Sequence, residues 1–322
     1  MRRAPTLLLG ALALWGCNSN NLTPVSLVQS VRILATSADK PYALPGDTVT
    51  MQVLAFDGRA SQLTPMGVWW LPQPCIDPPG DAFYACFPAF AESYAPGVDL
   101  TSQLVPGPAF SFGMPSDAIA AHSGSRGGEP YGLAVVFTIA CAGHVQYLSP
   151  APGAPPDTLP FGCFDAANNL LGPDEFVFAY SLVYAFTDRT NANPVIQSIT
   201  FGGSTVDPAV GITVEHCTQS NIDKCSTTAL DTIVPASSDE TDPGDLDANG
   251  NPLKEEIYVE YFLTAGKVKN DSMILYDPAA GLLPNTSDDF YAPQSPGSFY
   301  LWAVVHDNRG GVAWQQVPLV AN

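Results

Sequence analysis

The sequence predicts an all-β protein, with two tandem β-sandwich bodies over residues 27–190 and 191–322, behind a leader that is cleaved. Three observations predict it. The 31 prolines and 27 glycines are spread along all 322 residues, which cuts the chain into segments too short for long helices. Between these breaks, apolar and polar residues alternate or apolar residues run unbroken, the patterns of half-buried and fully buried strands. An apolar share of 46% beside 13% charged residues excludes a mainly disordered chain.

The leader comes first. Met1-Arg2-Arg3 is a positively charged start, residues 4–15 are apolar apart from Thr6, and Leu14-Trp15-Gly16-Cys17 closes the stretch. This layout is that of a secretory signal and is too short for a permanent membrane span. Leu14, Gly16 and Cys17 resemble the bacterial lipoprotein signal, in which a leucine, a small residue and an obligatory cysteine are read by the lipidating and cleaving enzymes. Trp15 departs from the Ala, Ser or Thr that the family prefers there. The resemblance implies that residues 1–16 are removed and that Cys17 becomes an acylated N-terminus, held firmly by several chains where one would hold it marginally. An ordinary signal peptide with an incidental cysteine is the other reading. Residues 17–26, with Asn18-Ser19-Asn20-Asn21, then form a polar tether. Asn18 is not the aspartate that retains enterobacterial lipoproteins at the inner membrane, so the resemblance implies anchoring at the outer membrane.

Strands begin at Leu27. Val31, Ile33 and Ala35 share one side, residues 40–47 read as a turn, and Val49, Met51, Val53 and Ala55 share one face of a second strand. Residues 67–71 read as a third strand, in which Trp69 and Trp70 supply a buried ring or a half-exposed pair for binding. Residues 72–97 hold Cys75, Cys86, Phe83, Tyr84, Phe87, Phe90 and Tyr94, and are too irregular for a strand and too apolar for a plain solvent loop. The five rings either pack as a side core, which the usual burial of aromatics favours, or form an exposed contact patch. The apolar runs 131–141 and 176–186 are predicted as central strands buried on both faces, with a long Pro/Gly loop over 149–162 between them.

Residues 187–194 are polar and turn-rich, and a fresh alternation starts at Val195. Residues 210–214 and 256–263 follow as strands, the second with Ile257, Val259, Tyr261 and Leu263 on one face. The clearest hairpin closes the chain: residues 299–305, the turn Asp307-Asn308-Arg309-Gly310-Gly311, and residues 312–317. Pro45-Gly46-Asp47, leading into the second strand, resembles the turn of bacterial immunoglobulin-like modules. The closing hairpin, entered by Pro296-Gly297-Ser298-Phe299-Tyr300, resembles the last strands of PKD-type and related modules, although the middle of this second body departs from the PKD pattern. The resemblance implies immunoglobulin-like sandwiches, and residues 180–189 read as a degraded echo of 300–309.

Of the 7 cysteines, Cys17 is set aside for lipid, leaving Cys75, Cys86, Cys141, Cys163, Cys217 and Cys225. Export places them in an oxidising compartment, and the simplest of the fifteen pairings joins neighbours: Cys75 with Cys86, Cys141 with Cys163, Cys217 with Cys225. The C-x-x-C and Cys/His spacings of zinc sites do not occur.

One stretch fits a written metal pattern. Asp245, Asp247 and Asn249, with Gly250 at the bend and Glu256 at the twelfth place, satisfy the oxygen-ligand calcium loop. Pro252 and the flanking Pro243-Gly244 exclude an EF-hand pair of helices. A helix-free calcium loop, helped by Asp239, Glu240 and Asp242, and an acidic solvated loop both remain open. Catalytic signals are thin: His122, His144, His216 and His306 share no metal-ligand spacing, and Ser125 has Ser123 where a nucleophile elbow needs glycine. A charge of −19, or −21 once Arg2 and Arg3 leave with the leader (10 basic against 31 acidic residues), argues against nucleic-acid partners. These features lead to the expectation of a non-catalytic, membrane-tethered lipoprotein that needs no cofactor and serves as a binding or scaffold module for protein or glycan partners at the envelope. An envelope hydrolase acting on polysaccharide or peptide and a structural spacer are the alternatives.

Overall fold

A computed structural model describes residues 23–322 apart from 123, 127 and 128. The leader over 1–16, Cys17 and the tether up to residue 22 lie outside the described residues. The first strands are β1 (Val31–Ala38), β2 (Tyr42–Ala43), β3 (Thr48–Asp57), β4 (Gly67–Trp70) and β5 (Cys75–Ile76). Then come helix α1 (Phe87–Ser93), β6 (Val105–Pro106), β7 (Ala109–Gly113), helix α2 (Ala118–Ala121), β8 (Ser125–Arg126) and β9 (Glu129–Pro130). This half ends with β10 (Gly132–Cys141), β11 (His144–Tyr147), β12 (Phe161–Phe164) and β13 (Phe176–Ala185).

The protein is all-β. In β3 the alternation does what it predicts: Val49, Met51 and Val53 are buried while Thr48 and Gln52 are exposed. The sheet β1-β3-β7 lays that face on the sheet β2-β13-β10-β4-β6, enclosing Trp70, Phe110, Phe112, Val136 and Val183. Trp70 is fully buried, and its indole N–H donates to the Gly107 carbonyl at 3.0 Å. On the other side of the central sheet the insert forms a third layer, with Phe87, Phe90, Phe161 and Tyr147 packed on Leu133, Val135, Phe137 and Ile139. Every residue of β10 is therefore buried. β13 departs from the expected two-sided burial. Its neighbours are β10 and the two-residue β2, so it lies near the sheet margin, and Tyr180 is 45% exposed.

The second half contains β14 (Ser198–Phe201), β15 (Ser204–Thr205), β16 (Ile212–Val214), β17 (Thr227–Ile233), β18 (Thr241–Leu246), β19 (Pro252–Lys254) and β20 (Ile257–Leu263). It closes with β21 (Lys267–Val268), β22 (Ser272–Asp277), β23 (Gly281–Leu282), β24 (Asp288–Tyr291), β25 (Gly297–Asp307) and β26 (Val312–Ala321). The sheets β15-β14-β17-β24-β21 and β16-β26-β25-β20-β22-β23 face each other across Phe201, Leu230, Phe290, Val259, Tyr261, Leu301 and Val305. The buried Tyr261 hydroxyl and the Thr232 hydroxyl satisfy each other at 3.0 Å. Each half repeats one device: a short early strand runs parallel to the last long one, β2 beside β13 and β16 beside β26.

Apart from isolated bridges, described strands up to β13 pair with one another and those from β14 on pair with one another. The two sets are nonetheless joined. Phe262, Trp302 and Val304, on the outer face of the second half, are buried against Val28, Leu34 and Ala35 of the first. The Val28 N–H donates to the Leu263 carbonyl at 2.7 Å, and the Leu263 N–H donates to the Ser26 carbonyl at 2.7 Å, so the lead-in segment pairs with the end of β20 beyond the stretch taken by β22. Asn193 pins the same seam, donating to the Ala38 carbonyl at 2.7 Å and accepting from the Val312 N–H at 2.9 Å.

The cysteines pair as neighbours: Cys75 with Cys86, Cys141 with Cys163 and Cys217 with Cys225, with Cα separations of 5.9, 5.7 and 5.7 Å. Among the described residues no helix is long and apolar enough to cross a membrane.

Candidate functional site

The insert builds a groove. Pro88 sits in the first turn of α1, where its missing N–H costs nothing, and Phe87 and Phe90, three apart, point into the core. The Tyr94 N–H closes the helix on the Phe90 carbonyl at 2.8 Å. The Cys75–Cys86 disulfide then fixes the helix beside the 71–76 segment. Between them lies a groove of about 480 Å³, walled by Leu71, Pro72, Gln73, Ile76, Phe90 and Tyr94 and reaching Gln103. That volume falls in the ordinary range for ligand sites.

The electrostatics of the groove set it apart from a chain of charge −19: no carboxylate, imidazole, ammonium or guanidinium is among its lining residues. Gln73 and Gln103 bring exposed amides, each able to donate and accept. Burial raises the Tyr94 phenol above its ordinary range, so it stays a neutral donor. Of the two readings of the five rings, the favoured side core describes most of them, and Phe87 and Phe90 drop out as exposed contact residues. Phe87 and Phe90 are 5% and 7% exposed and belong to the core, while Phe83 and Tyr94 are half-buried and Tyr84 is exposed. The physical reason is that the central sheet needs a cover on its second face, and these rings supply it.

The structure also brings His122 to Asp81, a pairing not read from the sequence. The imidazole Nε2 lies 2.9 Å from Asp81 Oδ1, and Nδ1 accepts from the Gly124 N–H at 3.0 Å. An Nδ1 that accepts fixes the tautomer with hydrogen on Nε2, which donates to Asp81. Tyr131 donates its hydroxyl to the other Asp81 oxygen. Both ring nitrogens of His122 are thus committed, and neither is left to activate a serine.

The residues of the calcium pattern are dispersed. Asp247 caps the hairpin between β18 and β19: it accepts from the Asn249 and Asn251 N–H groups at 2.8 Å each and from the Asn251 side chain at 3.0 Å. These bonds, led by the Asn251 side chain, lower its carboxyl to about 2. Asn249 contributes its backbone to that turn, and Gly250 takes φ +83°. Asp245 lines a separate cavity of about 180 Å³ with Asp242, Arg189 and Arg309, and the Glu256 N–H is held by Asn308 at 3.3 Å. Among the described residues no group of three or more His, Cys, Asp and Glu is placed to hold a metal ion.

Next to that small cavity is a buried ionic cluster that the sequence reading missed. Arg309, 3% exposed, is bound by the fully buried Glu255 and by Glu240, the latter at 3.0 Å. Asp307, 5% exposed, accepts from the Arg309 and Gly311 N–H groups at 2.8 and 2.7 Å, and from the Asn191 side chain at 3.1 Å. Burial, then the charge of Asp307, raises Glu255 to about 7, and burial raises Asp307 as well. The available signal was compositional: with charge so sparse, an arginine inside a Gly-rich turn is unusual enough to ask what pairs with it.

No family model matches the chain, and no curated protein matches it. Among solved structures it is similar to dimeric latent PorU from Porphyromonas gingivalis, at 8% identity and a TM-score of 0.23, over 92% of this chain and 24% of that one. It is also similar to three N-terminal domains of the highly immunogenic outer capsid protein Hoc of bacteriophage RB49, at 8% identity and a TM-score of 0.18, over 91% of this chain and 100% of that one. These are distant β-rich neighbours, and likeness at this level says nothing about a site.

Proposed function

We propose that the chain is a non-catalytic binding module of immunoglobulin-like sandwich build, tethered to the outer membrane by lipid on Cys17 and presenting the groove beside α1 to an uncharged part of an envelope glycan or protein. The observation that carries this reading is the groove itself: preformed, clamped by Cys75–Cys86, and lined by amides, a phenol and apolar walls without an acid or base. A binding site needs shape and a few placed polar groups. A hydrolase needs a poised proton donor or nucleophile. Of the groups able to supply one, His122 is engaged with Asp81 and Gly124, and the Glu255, Asp307 and Glu240 carboxylates with Arg309 or the Arg309 turn. The parallel strand repeated in each half supports a pair of related sandwiches.

The test has two arms. Retention of the protein on purified peptidoglycan and on outer-membrane vesicles is compared for the wild type and for Tyr94→Ala, Gln73→Ala and Gln103→Ala. A drop of tenfold or more in the variants with unchanged melting supports the groove, and unchanged retention removes it. Mass spectrometry of protein taken from cells then reports whether the N-terminus is an acylated Cys17 or an intact leader.

A further inference from the structure

The Arg309 cluster sits where the two halves meet. The guanidinium lies over the Tyr42 ring, 5.5 Å from its centroid, which ties the closing turn of the second half to β2 of the first. Asn191, in the connecting segment, bonds Asp307, and the Ala192 N–H approaches Glu240 at 3.4 Å. The turn, the connection and the first half therefore converge on one buried group of charges.

The charges do not balance. Glu255 and Asp307 are buried and Glu240 is partly so, and among the described residues Arg309 is the one guanidinium bonded to Glu255 and Glu240. The nearby cations have other partners. Lys254 pairs with Asp239 at 2.9 Å, and Arg189 lies over Phe186 and beside Asp188, lining the small cavity with Arg309, Asp242 and Asp245. His306, next in sequence to Asp307, pairs with Glu260 at 3.0 Å. With every carboxylate ionised, one positive charge would face three negative ones, two of which, Glu255 and Asp307, are shielded from solvent. Among the described residues the second oxygen of Glu255, Oε2, is buried without a hydrogen-bonding partner, which a neutral carboxyl tolerates far better than a carboxylate.

We propose that this cluster is a proton-operated latch on the junction: a proton held on Glu255 keeps the turn, the connecting segment and Tyr42 together, and its departure loosens them. The elevated affinities of Glu255 and Asp307 for a proton point the same way. The sign follows from linkage. A carboxyl that holds its proton more tightly in the folded state contributes stability below its unfolded value, and that contribution is lost as pH rises through the folded one.

The experiment is hydrogen exchange on the folded chain at pH 5.5 and 8.5, corrected for intrinsic rates, following amides of residues 189–193 and 305–312 against the remote 217–225 loop. In the wild type, protection of the first two segments falls several-fold more than that of the third. In Glu255→Gln it does not change with pH. Equal protection at both pH values, or a pH-dependent loss that survives in Glu255→Gln, overturns the latch. Glu240→Gln serves as a second variant should the first fail to fold: with one carboxylate fewer the midpoint moves to lower pH, and an unmoved midpoint overturns the proposal. Repeating the series in millimolar calcium separates a proton from a metal, since protection restored at pH 8.5 by calcium alone would overturn the proton reading.

Discussion

The ring of Phe56 lies 4.8 Å from that of Trp302, centroid to centroid and tilted by 57°, and the two belong to opposite halves of the protein. Trp302 is 1% exposed, and its indole N–H reaches Gln316 at 3.2 Å. The junction is therefore packed like a core and not like a hinge. Trp302→Ala is expected to cost about 3–5 kcal/mol, the range for deleting a large buried ring. Urea denaturation measures it; a loss below about 1 kcal/mol would mean that the halves are not coupled through this face.

The Cys75–Cys86 bond closes a loop with a sequence separation of 11. The chain-entropy argument gives such a crosslink about 2–3 kcal/mol. Replacing both cysteines with alanine is expected to lower stability by that amount and to release α1 from the groove wall. Thermal melts with and without the pair, alongside the retention assay, read both effects.

Asp247 holds its turn through a carboxyl lowered to about 2. Because the folded value lies below the 3.8 of a free aspartate, the contribution is present above pH 4 and disappears as pH falls through 2. Amide shifts of Asn249 and Asn251 followed from pH 5 to pH 1.5 are expected to move with that carboxyl, and Asp247→Ala is expected to show the loosened turn at neutral pH. A calcium ion would compete with Asn251 for Asp247, and no metal-holding cluster is found among the described residues, so calorimetric titration is expected to give equal heats for the wild type and for the Asp245→Ala, Asp247→Ala double variant. A calcium heat that the double variant abolishes would restore the cation loop.

Gly211 has φ +79°, and a Cβ there would stand 2.0 Å from the Pro318 carbonyl oxygen. Only a residue without a side chain lets the backbone pass so close before β16 joins β26. Gly211→Ala is expected to destabilise by well over 1 kcal/mol and to expose the 319–321 amides to exchange.

Features carried by short-range pattern were readable. The unbroken run of β10, the alternation of β3 and β20, and the glycine turn after Asp307 each write their environment into consecutive residues. The neighbour pairing of cysteines, read as the simplest of the fifteen, is the one the three bonds show. Other features depend on what lies across from them. α1 is too short for helical periodicity to register, and the packing of Phe87 and Phe90 decides it. The ionic cluster draws Asn191, Glu240, Glu255, Asp307 and Arg309 from separate stretches, so no window of sequence contains it. Pattern matching singled out Glu256 as a ligand, while burial singles out its neighbour Glu255: on a chain of period two, one position decides between solvent and interior.

The pairing of residues 26–28 with the Leu263 edge has a mechanical side. The bridge from Leu27 runs parallel to β20, and its hydrogen bonds lie on both flanks of Leu263. A pull entering from upstream of Thr23 meets these two bonds, at the seam between the halves, before it reaches β1.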